Sequence, residues 1–136
     1  MRVYVDTNVL IYARIEQDIN KKALAVELLA NYASAKSLSI SLLTLQEYLF
    51  TLAKLKIDNK TINRDTKYDS NHVKHLITKE MFISACQLCL ELNFYKNIND
   101  VIHLKFAEQH CDKLITFDSD FNNLKKHTTV EIEVLK

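Results

Sequence analysis

An α/β fold, with helices on both faces of a mostly parallel sheet, is predicted by three features of this 136-residue sequence. Short β-branched or apolar runs alternate with longer stretches of helical periodicity, the order that builds parallel sheets. Two of those runs stop abruptly at an acid, as buried strands do where they leave a sheet. The length suits one domain over residues 1–136 and leaves no room for a second.

The elements follow in order. "RVYV" (2–5) is a β-branched run that ends at Asp6. Asp6, Thr7 and Asn8 are helix-capping types, so "VLIYARIE" should be helical at once. Residues 20–36 place apolar side chains at 23, 24, 26, 28, 29, 32 and 33, an amphipathic helix. "SLSISL" (37–42) is the second strand, and Thr44 is positioned to cap a third helix with an apolar stripe at 45, 48, 49, 52, 53 and 55. Residues 58–71 are polar and unpatterned, which predicts a loop. Helical spacing resumes from Asn71 to Phe94 with a break near Thr78, and Asn99 is the expected cap of a helix over 100–110. "KLITF" (113–117) ends at Asp118, and "TVEIEVL" (129–135) alternates as a final strand.

Composition removes several function classes. Neither glycine nor proline occurs, where average usage is about 7% and about 5%. A Walker A loop, a dinucleotide-binding GxGxxG turn and a GxSxG nucleophile elbow all require glycine where a Cβ would clash, so none is present. Asparagine is then the expected left-handed turn residue, with Asn59, Asn63, Asn71, Asn93, Asn97 and Asn99 as candidates. Three cysteines in a chain whose start, "MRVYVDTNVL", lacks the apolar stretch of a signal peptide predict free thiols and a cytoplasmic location without membrane association. Cys86 and Cys89 form a C-x-x-C inside an apolar helical pattern, so they read as core residues and not as zinc ligands.

Four carboxylates fall where ligands bind in open α/β sheets, outside the carboxyl ends of the strands. Asp6 and Asp118 directly follow strands, while Glu47 and Asp100 lie in first turns of helices that follow strands or turns. Any one of these could simply cap a helix or offset its dipole. Together they would repel and raise one another's pKa, and a hard divalent cation relieves that repulsion. Oxygen-only ligands favour Mg²⁺ or Mn²⁺ over zinc.

"VDTNVLIYA", "LTLQEYLFTL", "NDVIHLKFAEQHCDKLITFDSDF" and the terminal strand together resemble the PIN domain, in particular the VapC-type toxins of toxin–antitoxin pairs. The resemblance implies a three-layer α/β/α fold and a metal-dependent endoribonuclease whose catalytic acids are Asp6, Glu47, Asp100 and Asp118. Asp120 matches a further acid of the "T-x-D-x-D-F" stretch, and either it or Asp118 completes the set. Asp6, Asp100 and Asp118 are the implied metal ligands, with Glu47 acting directly or through water. Thr7, Asn8 and Thr116 fall at supporting polar positions. The pattern departs after the third acid, where Val101, Ile102 and His103 replace small residues, and His103 is expected to be a packing residue. The same resemblance implies structured RNA as substrate, products with 5′-phosphate and 3′-hydroxyl ends, a homodimer and a small antitoxin partner. Ile11, Tyr12, Leu28 and Tyr32 are candidates for the antitoxin surface.

The net charge of +1 offers no global attraction for RNA. Between Lys54 and Lys79, however, seven basic residues face three acids, which makes Lys60, Arg64 and Lys67 candidate phosphate contacts. A D-x-D phosphatase reading of "FDSDF" fails because only sixteen residues follow Asp120, too few to complete a sheet. A non-catalytic RNA- or protein-binding domain, or an RNA-processing nuclease without an antitoxin, is the remaining alternative.

Overall fold

The structure, a computed structural model, describes residues 1–136. Its sheet has four strands: β1 (Val3–Val5), β2 (Leu38–Ser39), β3 (Lys113–Thr116) and β4 (Glu131–Val134). They lie in the order β2-β1-β3-β4, and every pairing is parallel. Six α-helices lie between the first three strands, α1 (Thr7–Arg14), α2 (Ile19–Ser34), α3 (Leu42–Lys54), α4 (Asn59–Asp69), α5 (Lys79–Leu92) and α6 (Ile98–His110), and a 3-10 helix over Ser119–His127 links β3 to β4.

Side chains alternate across a strand, and the two cores follow from that period. Val3, Val5 and Ile115 pack with Val9, Leu10, Leu45, Tyr48 and Leu52, below α1 and α3. Tyr4, Leu114 and Ile132 point the other way, into Met81, Ala85, Cys89, Val101, Leu104 and Phe106 of α5 and α6. The sheet is therefore sandwiched between helices, the three-layer α/β/α arrangement. No helix is long and apolar enough to cross a membrane.

Several elements depart from the sequence expectation. Residues 58–71 are not a loop: α4 is a regular helix whose start is capped by Asp58, which accepts the Thr61 amide at 2.8 Å. Its inward face is Ile62, Asp65 and Asp69, at helical spacing but mostly polar, so apolar periodicity does not reveal it. Asp65 accepts the Tyr48 hydroxyl at 2.7 Å, and Asp69 pairs with Arg14. The second strand is shorter than expected because Ser41 already caps α3, accepting the Thr44 amide at 3.3 Å. Thr44 lies inside that helix, and α6 begins at Ile98, so Asn99 lies inside α6.

Of the candidate asparagines only Asn93 is left-handed, at φ 53°; Lys36 at 56° and Lys56 at 60° take the other such positions. All three sit just past helix ends. In each, the following amide reaches back to a carbonyl five residues earlier: Ser37 to Tyr32, Ile57 to Leu52 and Phe94 to Cys89. This is the Schellman closure, usually made by glycine. The three cysteines are free, with Cys89 buried and Cys86 and Cys111 half-buried. Ile11 is buried in the first core, and Tyr12, Leu28 and Tyr32 pack against it.

Candidate active site

The carboxyl edge of the sheet gathers the acids. Asp6 leaves β1 and is the N-cap of α1; it is buried, at 5% exposure. Its Oδ1 accepts the Thr7 amide at 2.7 Å, and its Oδ2 accepts from the Thr116 hydroxyl at 2.8 Å and from Asn8 Nδ2 at 3.2 Å. Asn8 also accepts the Phe117 amide at 3.0 Å, so Thr7, Asn8 and Thr116 tie the end of β1 to the end of β3. Burial pushes the Asp6 carboxyl above its ordinary value, against the pull of His103 and of the Thr116 and Thr7 bonds.

Glu47, in the second turn of α3, receives three donors from two other helices. The Thr7 hydroxyl and His103 Nε2 reach its Oε1 at 2.6 and 2.7 Å, and Asn99 Nδ2 reaches its Oε2 at 2.9 Å. Burial works against the Glu47 charge, but the His103, Thr7 and Asn99 bonds outweigh it and hold the carboxyl below its ordinary value.

Asp100, in the first turn of α6, is in the opposite state. Burial pushes its carboxyl up to about 6, and the charges of Asp6 and Asp118 push the same way, against a bond from Asn97. Asn97 Nδ2 serves two acids at once, Asp100 Oδ2 at 3.1 Å and Asp120 Oδ2 at 3.3 Å. Asp118 follows β3 and accepts the Asp120 amide at 2.9 Å, while Asp120 itself is exposed. Both acids of the "D-x-D" stretch thus border Asp100, one through its charge and one through a shared asparagine.

One grouping differs from the expected ligand set. The tightest cluster of possible metal-binding atoms is Asp6, Glu47 and His103, all within 4.8 Å of one another. His103, expected to be a packing residue, is buried at 1% exposure but fully engaged in polar contacts. Its Nε2 faces Glu47 and lies 3.6 Å from Asp6 Oδ1; its Nδ1 meets the Tyr4 hydroxyl. Burial favours a neutral imidazole, yet Glu47, Asp6 and Asp100 together push His103 above its ordinary value. Its sequence signal was its place three residues after Asp100, on the same helix face. Asn97 and the hydroxyls of Tyr4, Ser41 and Thr44 carried no such signal.

Lys60, Arg64 and Lys67 lie on α4, all exposed and spaced four and three residues apart, so they form one stripe. A groove of about 670 Å³ beside the start of α2 is lined by Glu16, Asp18, Lys22 and Glu27 and contains none of the candidate acids.

The residues fit a divalent cation. Burial and the charges of Asp6 and Asp118 work against the Asp100 charge and outweigh Asn97 and His103, and all three acids offer hard oxygen atoms. No curated protein matches the chain as a relative. The sequence pattern of the PIN domain, a family of metal-dependent nucleases, matches residues 3–127, and with its all-parallel sheet and the acids at its carboxyl edge this chain belongs to that family.

Proposed function

We propose that the protein is an endoribonuclease that hydrolyses RNA phosphodiester bonds with Mg²⁺ or Mn²⁺, and that it is the toxin of a toxin–antitoxin pair. The observation that supports the nuclease reading is the gathering of Asp6, Glu47, Asp100 and Asp118 at the carboxyl edge of the parallel sheet, where Asp6, Glu47 and His103 offer possible ligand atoms within 4.8 Å of one another. Several acids crowded at the carboxyl edge of a parallel sheet suit a bound cation better than a structural role.

Asp6, Asp100 and Asp118 are the residues that would hold the ion, with Glu47 acting directly or through water. When bound, a divalent ion lowers the pKa of water and supplies counter-charge to a reacting phosphate. Thr7, Asn8 and Thr116 orient Asp6, since each donates to it through an amide, a carboxamide or a hydroxyl. Asn97 spaces Asp100 from Asp120 by donating to both. Asp120, being exposed, is the acid of the set placed to meet substrate or water. Lys60, Arg64 and Lys67 are the inferred contacts to the RNA backbone.

The toxin reading rests on the ordered resemblance of the motifs to VapC-type proteins, and a homodimer, a small antitoxin and a cytoplasmic location go with it. Purified protein should cleave structured RNA with Mg²⁺ or Mn²⁺ and stop in EDTA. Full activity in EDTA overturns the reading; RNA binding without cleavage in either metal returns the chain to a non-catalytic binding domain.

A further inference from the structure

Beneath the acids lies a buried polar chain that the proposed chemistry does not use. Tyr4 is fully buried on β1, and its hydroxyl meets Ser41 Oγ at 2.9 Å, Thr44 Oγ1 at 2.7 Å and His103 Nδ1. The direction of each bond follows from what each atom can give. The Thr44 amide can only donate, and it donates to Ser41 Oγ, which leaves the Ser41 hydrogen free for Tyr4. Tyr4 Oη has two lone pairs for Ser41 and Thr44 and one hydrogen for His103 Nδ1. A carboxylate offers only acceptors, so His103 Nε2 keeps its hydrogen and gives it to Glu47 Oε1. If His103 gains a second proton, the Tyr4 hydrogen turns toward Thr44, and the bond from Nε2 to Glu47 is unchanged. With His103 neutral, each hydroxyl and ring nitrogen of the chain has a partner, which is how a buried network fixes one geometry.

We propose that His103 is a positioning residue: it ends a hydrogen-bond chain running from the start of α3 through Ser41 and Tyr4, and it fixes the Glu47 carboxylate beside Asp6. The chain closes on the helix where it began, since Thr44 and Glu47 are both on α3 and three residues apart. Tyr4 immediately precedes the strand residue before Asp6, so the same ring also fixes the strand end from which Asp6 emerges. Glu47 keeps one lightly used oxygen, Oε2, whose only donor is Asn99. That oxygen is the one left to face a cation or its water.

The inference rests on the metal-dependent reading, and the test separates the two. Mn²⁺ uptake is read by electron paramagnetic resonance on wild type, His103→Leu, His103→Gln and Tyr4→Phe, alongside RNA cleavage. Loss of an orienting partner of a metal-site carboxylate typically costs about 10–100-fold in affinity or activity. His103→Leu should weaken Mn²⁺ binding and lower kcat on that scale, with KM for RNA little changed. His103→Gln, which keeps a terminal N–H, should recover most of the loss, and Tyr4→Phe should fall between. Unchanged Mn²⁺ affinity in folded His103→Leu overturns the proposal alone. If His103→Leu fails to fold, Tyr4→Phe decides, and wild-type affinity there overturns it. Nitrogen couplings to bound Mn²⁺ in the wild type would make His103 a ligand and overturn it as well. A wild-type protein that neither takes up Mn²⁺ nor cleaves RNA overturns the nuclease reading and the proposal with it.

Discussion

Arg14 grips Asp69 with both terminal guanidinium nitrogens, at 2.6 and 2.8 Å, and so joins α1 to a helix with almost no apolar residues of its own. Asp69 is buried and Arg14 is one-quarter exposed, with its guanidinium lying over the Tyr48 ring at 5.2 Å. Removing one partner of a buried pair leaves the other charge uncompensated. Arg14→Ala should therefore cost about 3 kcal/mol in urea unfolding, since it strands the Asp69 carboxylate. Amide exchange should rise first in α4. A loss below about 0.5 kcal/mol, the scale of an exposed pair, would show that α4 is held by other contacts.

The acids should separate activity from stability. Asp6→Asn and Asp100→Asn should each remove nearly all RNA cleavage. Asp100→Asn should leave the melting temperature in EDTA unchanged or raise it, because one charge leaves a mutually repelling set. Wild-type cleavage rates in both variants would reduce these residues to helix caps.

The basic stripe makes a prediction about salt. Alanine at Lys60, Arg64 and Lys67 together should weaken RNA binding and flatten its salt dependence by up to about three phosphate contacts. Turnover at saturating RNA should change little, since such contacts bind ground state and transition state alike. An unchanged salt slope would leave the stripe as solvated surface.

Lys56 holds a left-handed backbone at φ 60° with a side chain that disfavours it. Lys56→Gly should raise stability by about 1 kcal/mol, because glycine enters that region without a Cβ penalty. Equilibrium denaturation decides it, and a destabilised variant would mean that the lysine stem makes a compensating contact.

His110 supplies a pH test. Burial holds its imidazole below the ordinary value, and the stacked His75 ring, 3.8 Å away, and Arg2 add to the effect. A lowered folded pKa means that the unfolded chain binds more protons, so this contribution is intact above about pH 6.5 and is lost as pH falls toward the depressed folded value. The stability of His110→Gln should decline less between pH 7 and pH 5 than that of the wild type. Parallel curves would assign the acid sensitivity elsewhere.

How far the sequence could be read depended on which atoms face inward. β1 and β3 were legible because their buried faces are apolar and an acid follows each within two residues, and that placed Asp6 and Asp118 at the sheet edge. α4 was hidden because its inward face is bonded through Asp65 and Asp69, and a hydrophobic period cannot register carboxylates. His103 read as a packing residue for a related reason. Its partner Glu47 lies 56 positions away, and a histidine on an apolar helix reads as packing until the fold brings the two together. Lys36 and Lys56 escaped because the left-handed positions were expected at asparagine, whereas the helix ends put lysine there.

The central place of β1 has a consequence for how the site holds together. Asp6 and the Thr116 hydroxyl that orients it stand 110 positions apart in the sequence, on neighbouring strands. β1 is bonded to β2 on one edge and to β3 on the other, and Asp100 and Asp118 flank β3 in the sequence. No local segment carries the whole cluster, so the acids meet only through long-range strand pairing. A change that weakens the β1–β3 pairing should therefore disperse the acids without altering any one of them.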